Sequence, residues 1–161
     1  MGTTLVVDIA DMKVSADSNA ELVTYSLGSC IGVAIWDHQA HVGGLLHYML
    51  SDSRLSPEKA KANPAMFADT GIPLLFRSAY ELGAIKRRTL VKVAGGASLF
   101  ETDENMNIGQ HNYVMMRKIF WKNGVLIDGE HTGDQISRTM CLDVGTGRVT
   151  VENRKMGLVE I

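Results

Sequence analysis

The chain has 161 residues, of which 45% are hydrophobic and 21% charged, with a net charge of −2; this suffices for one compact domain spanning 1–161 and leaves no basic excess to drive nucleic-acid binding. The longest uncharged apolar stretch, 22–36, is shorter than the ~20 residues a membrane helix needs and is broken by Gly28, Ser29 and Gly32, so no membrane insertion is expected. No basic leader with an apolar run opens the chain, and a cytoplasmic location is expected.

Residues 3–9 and 21–26 have the β-branched and apolar character of strands, separated by a polar turn at 16–19. Leu27-Gly28-Ser29-Cys30 then leads into a buried-strand pattern at 31–36. After Asp37-His38-Gln39 the pattern resumes over 41–50, so a hairpin is predicted. Residues 51–64 contain Pro57 and Pro64 and read as a loop with room for one helical turn.

From Asp69 the apolar residues Ile72, Leu75, Phe76, Ala79 and Leu82 recur at helical spacing. Asp69 or Thr70 is the predicted cap, Pro73 falls in the first turn, and Gly83 ends the helix. Residues 90–94 read as a strand leading into Gly95-Gly96-Ala97-Ser98-Leu99-Phe100. A second helix is predicted over 108–122, closed by Gly124. Residues 125–128, 139–143, 148–152 and 158–161 read as short strands. Strands mixed with two main helices, without strict βαβ alternation, predict an α+β fold with helices packed on a largely antiparallel sheet.

Cys30 follows Gly28 and Ser29 at a turn-to-strand junction, where freed backbone amides of the turn can face a developing oxyanion. Alone, it reads as a core thiol. His47 lies on the strand predicted to pair with the one that begins at Cys30, on the face shared by Leu45 and Met49. Alone, it reads as a core histidine. Together the two support acyl transfer, in which imidazole takes the thiol proton and the thiolate attacks an amide or ester carbonyl. A third group must fix the ring tautomer, and Thr24, Asp37, Asp52 and Asn107 are all candidates.

The other cysteine, Cys141, makes no Cys-x-x-Cys spacing with Cys30, and both are expected to be free thiols with no metal site. His38, His41, His111 and His131 share no ligand spacing. Gly95-Gly96-Ala97-Ser98 lacks the Gly-Lys-Ser/Thr ending of a phosphate loop, so it reads as a tight backbone approach near the site and no cofactor is expected.

Thr24-Tyr25-Ser26-Leu27-Gly28-Ser29-Cys30, Leu46-His47-Tyr48-Met49-Leu50-Ser51-Asp52-Ser53, Ala94-Gly95-Gly96-Ala97-Ser98-Leu99-Phe100 and Asn107-Ile108-Gly109 with Asn112 stand in this order. In these blocks the chain resembles the chemoreceptor glutamine deamidases, the CheD family, over nearly its whole length. The resemblance implies a Cys-His-Thr site formed by Cys30, His47 and Thr24, with Gly28, Ser29 and Phe100 as substrate or oxyanion contacts. It implies deamidation of glutamines on the cytoplasmic domain of methyl-accepting chemoreceptors, and a CheC-type phosphatase as partner. Receptor glutamate methylesterase activity at the same site, or a purely regulatory docking role, are the alternatives. Fold and site are also similar to those of cysteine-dependent toxin deamidases. Ser51 stands where the family often has proline, and 132–138 is less glycine-rich than usual, departures that bear on loop shape.

Overall fold

The computed structural model describes residues 2–98 and 107–161. The strands are β1 (Thr3–Val6), β2 (Asp11–Ser15), β3 (Ala20–Leu27), β4 (Ile31–Asp37), β5 (Val42–Tyr48), β6 (Thr89–Gly95), β7 (Gly129–Thr132), β8 (Arg138–Asp143), β9 (Val149–Asn153) and β10 (Gly157–Glu160). The α-helices are α1 (Pro57–Ala62), α2 (Ala68–Glu81) and α3 (Ile108–Lys122).

Two five-stranded sheets form, an outer one in the order β1-β3-β8-β9-β10 and a central one in the order β2-β5-β4-β6-β7. Among the described strands, β1 with β3 and β6 with β7 pair in parallel and the other strand pairs are antiparallel. This is the α+β, largely antiparallel architecture expected from the sequence. One face of the central sheet carries α2 and α3 over a core that includes Val33, Ile35, Leu46, Tyr48, Ile72, Leu75, Met116 and Phe120. Its other face meets the outer sheet through Leu22, Leu27, Ala34, Leu45, Met140, Leu142 and Val151.

Covered on both faces, β5 is buried at every position and β4 at all but Trp36. That is why both read as continuous apolar runs. In contrast, β8 alternates buried and half-buried residues, as a strand with one covered face must.

Some predicted boundaries move. The strand expected over 3–9 stops at Val6, and β2 follows after Ala10 turns the chain at a φ of 56°. With Asp11 and Lys13 at an edge, β2 has too few apolar residues to be seen in the sequence. Residues 125–128 form no strand; the edge strand is β7, polar at Glu130 and His131. α2 starts at Ala68, and Phe67 gives no side-chain cap. The Asp69 carboxylate instead accepts from the Ser53 amide at 2.9 Å and the Ser53 hydroxyl at 2.6 Å, tying the preceding loop to the helix. Pro73 consequently lies in the second turn and withholds an N–H there.

Candidate active site

β3 and β4 follow one another in the chain but belong to different sheets. The crossing is made by a register shift between Thr24 and Leu27, with Ser26 at a φ of 59°, and by the turn Gly28-Ser29-Cys30. Thr24 is thus left at the end of regular pairing in the outer sheet, and Cys30 enters the central sheet. Gly32 pairs directly with His47, so Cys30, two residues earlier, is a diagonal neighbour of His47 on the same face.

Thr24 and His47 are fully buried, whereas Cys30 is half-buried. Across the two sheets, Thr24 Oγ1 lies 2.7 Å from His47 Nδ1. The same hydroxyl donates to the Val7 carbonyl at 2.7 Å. A hydroxyl has one proton, and here it is committed to Val7. Thr24 Oγ1 therefore accepts from Nδ1–H, and the neutral ring carries its proton on Nδ1. His47 Nε2 is left with a bare lone pair, and among the described residues it has no hydrogen-bond partner.

Burial holds the His47 imidazole neutral, bringing its pKa down to about 4, while the Asp11 carboxylate pulls weakly the other way. Asp11 is the cross-strand partner of His47 on β2, and nothing in the sequence marked it because β2 itself was not visible. Burial pushes the Cys30 thiol up, and its own backbone N–H opposes that. The resting groups are accordingly a neutral thiol and a neutral imidazole, with no hydrogen bond between them.

The other candidates for a third group are engaged elsewhere. Asp37, at the far end of β4, is chelated by Arg88 at 2.9–3.1 Å. Burial would raise its carboxyl, but Arg88 and the amides of Ala40, Ile85 and Gln39 hold it well below the usual range. Asp52 pairs with Arg54, and Asn107 caps α3 through the Gln110 amide at 3.0 Å.

The turn's carbonyls are all taken. Gly28 accepts from Ala97 N–H at 2.9 Å, Cys30 from Gly96 N–H at 2.9 Å, and Ser29 from Asn112 Nδ2 at 2.9 Å. Of its amides, Gly28 N–H donates to Ser26, Ser29 N–H has no backbone acceptor among the described residues, and Cys30 N–H faces its own sulfur. Two N–H groups that serve no other backbone group, beside a thiol, can stabilise an oxyanion. The close approach expected of Gly95 is present: its φ is 108°, and a Cβ there would collide with the Cys30 carbonyl. Phe100 lies outside the described residues. Arg138, fully buried, donates to His131 Nδ1 at 2.8 Å and to the Gly133 carbonyl at 2.9 Å, stitching the two sheets together at this end.

Among the described residues, no cluster of His, Cys, Asp and Glu could hold a metal ion, and no helix is long and apolar enough to cross a membrane.

A family model described as CheD chemotactic sensory transduction matches residues 49–153, a span that begins just beyond His47. The chain is 56% identical over 149 residues to a protein of Syntrophus aciditrophicus named probable chemoreceptor glutamine deamidase CheD 1, covering 92% of this chain and 93% of that one. It is 45% identical over 148 residues to a protein of Solibacter usitatus named probable chemoreceptor glutamine deamidase CheD, covering 92% and 88%. In fold it is similar to a crystal structure of a Neisseria meningitidis DUF152 protein, with a TM-score of 0.51 at 11% identity over 82% of this chain and 63% of that one.

Proposed function

The chain belongs to the CheD family, and from that premise we propose that it is a chemoreceptor glutamine deamidase with Cys30 as nucleophile, His47 as general base and acid, and Thr24 as the group that fixes the ring. The observation that carries this reading is the hydrogen-bond chain from Val7 through Thr24 to His47, which leaves Nε2 unprotonated and unpartnered.

The Cys30 thiol passes its proton to His47 Nε2 as Sγ attacks the carboxamide carbon of a receptor glutamine. The N–H groups of Ser29 and Cys30 receive the oxyanion. Gly28 shapes the turn, since its own amide is occupied. Collapse of the tetrahedral intermediate breaks the C–N bond, with Nε2–H protonating the departing ammonia. Water then attacks the thioester, giving up its proton to Nε2, and the acid leaves with the thiol restored. The balance is carboxamide plus water to carboxylate plus ammonium.

Thr24 fixes the tautomer without adding negative charge, which leaves Asp11 as the nearby carboxylate that favours the transient imidazolium. The substrate is the cytoplasmic domain of methyl-accepting chemoreceptors, the location is cytoplasmic, and a CheC-type phosphatase is the regulatory partner; these parts of the reading rest on the resemblance and the names of the relatives.

The test is glutamine-to-glutamate conversion in a receptor cytoplasmic fragment, followed by mass spectrometry and ammonia release. Cys30→Ala and His47→Ala are expected to abolish it in folded protein. Full conversion by Cys30→Ala would overturn the mechanism, and methanol release without ammonia from a methylated fragment would assign esterase activity instead.

A further inference from the structure

We propose that Asn112 is a positioning residue that aims the oxyanion-binding amide of Cys30. The inference rests on the deamidase reading above and goes beyond it, to a side chain on a helix that contributes no reacting group.

Asn112 lies on the inner face of α3 and is fully buried. Its Nδ2 donates to two carbonyls, Ser29 at 2.9 Å and Met49 at 2.8 Å. Both neighbours are acceptors, so the amide orientation is determined: nitrogen toward the carbonyls, oxygen away. The backbone carbonyl of the same residue accepts from the Tyr48 hydroxyl at 2.7 Å. One residue thus grips the position before Cys30 and the two positions after His47.

The geometry of the peptide unit turns this grip into a function. Ser29 C=O and Cys30 N–H belong to one planar trans unit and point in opposite directions. With the carbonyl drawn toward α3, the amide is directed to the other side of the central sheet. That is the side on which Cys30 and His47 lie. Burial pushes the Cys30 thiol up, and the residue's own amide works against that rise, as an N–H turned to that side would. Asn112 Oδ1 is buried without a partner among the described residues, an unfavourable placement that a residue chosen only for stability would avoid. Serving two acceptors at once requires the NH2 group, and leaves Oδ1 without a partner among the described residues.

The experiment compares the wild-type full chain with Asn112→Ala, Asn112→Asp and Asn112→Ser in ammonia release from the receptor fragment, with circular dichroism as the folding control. For Asn112→Ala and Asn112→Asp, kcat is expected to fall by about 100-fold with KM changed less than about threefold, since the amide acts on the oxyanion and not on substrate binding. Asn112→Asp sets a carboxylate against two carbonyls, and protonating it restores one donor. Its kcat relative to wild type is therefore expected to rise as pH falls from 7 to 5, a recovery that a purely structural defect would not show.

Asn112→Ser retains one donor and is expected to fall between wild type and Asn112→Ala. Folded Asn112→Ala or Asn112→Asp with kcat within threefold of wild type at pH 7 overturns the assignment, as does Asn112→Ser no better than Asn112→Ala, or failure of all three variants to fold, which would make the residue structural. If Cys30→Ala stays active, the deamidase mechanism falls and this inference with it. If Cys30→Ala is dead while the Asn112 variants work, only the inference falls.

Discussion

The Thr24 hydroxyl has a single proton, and its commitment to Val7 decides which nitrogen of His47 is a base. Removing it tests that logic. Thr24→Val keeps the shape but strands the Nδ1–H and the Val7 carbonyl, at a cost of about 2 kcal/mol in a urea melt. The ring is then free to take the other tautomer, and kcat for ammonia release should drop by about 100-fold. Thr24→Ser should restore most of both. A Thr24→Val protein with wild-type kcat would remove threonine from the site. The His47 pKa of about 4 also predicts where the acid limb of kcat/KM lies: near pH 4, well below an ordinary histidine. Iodoacetamide should likewise label Cys30 slowly at neutral pH, because burial keeps the thiol protonated.

At the scale of elements, the candidate site depends on how closely α3 and the turn after β6 approach Cys30. A Cβ on Gly109 would collide with the Gly96 and Ala97 backbone, so Gly109→Ala must push the start of α3 outward. The expected cost is about 2 kcal/mol, with a loss of kcat because Asn112 withdraws from Ser29. Unchanged kcat in folded Gly109→Ala would show that the helix can shift without disturbing the turn. Much of this organisation is visible in the sequence. The runs at β4 and β5 are long and apolar, the helical spacing of α2 and α3 is regular, and Gly28-Ser29-Cys30 marks a turn. What cannot be read there is which sheet each strand joins. β3 and β4 look like neighbours in a meander, and only the register shift at Thr24 sends them to different sheets. Residue patterning alone leaves four candidates for the third group, because a hydrogen bond between sheets has no sequence spacing. Edge strands β2 and β7 are hard to read for a different reason: they are short, half-buried and interrupted by charged or polar residues such as Asp11, Lys13, Glu130 and His131.

Across the whole molecule, burying His47 uncharged links stability to pH. Unfolded, the ring takes a proton below about pH 6.5; folded, it refuses one until about 4. Between these values the unfolded chain binds more protons, so stability falls as pH falls from 6.5 to 4, by roughly 3 kcal/mol. Asp37, held at the far end of β4, loses its contribution only below that window. Urea melts at pH 7 and 4.5 should show the slope, and His47→Asn, which keeps a donor for Thr24 but does not titrate, should flatten it. An equal slope in His47→Asn would place the linkage elsewhere. The crossing of the chain from one sheet to the other at Gly28-Ser29-Cys30 has one more consequence. His47 and Thr24 come from separate layers, so under the proposed mechanism a chain with only one layer formed has a sulfhydryl and no catalyst. Hydrolytic competence is then a timer for the docking of the layers: in refolding, the first turnover should coincide with closure of the Thr24–His47 bond and lag behind the recovery of secondary structure.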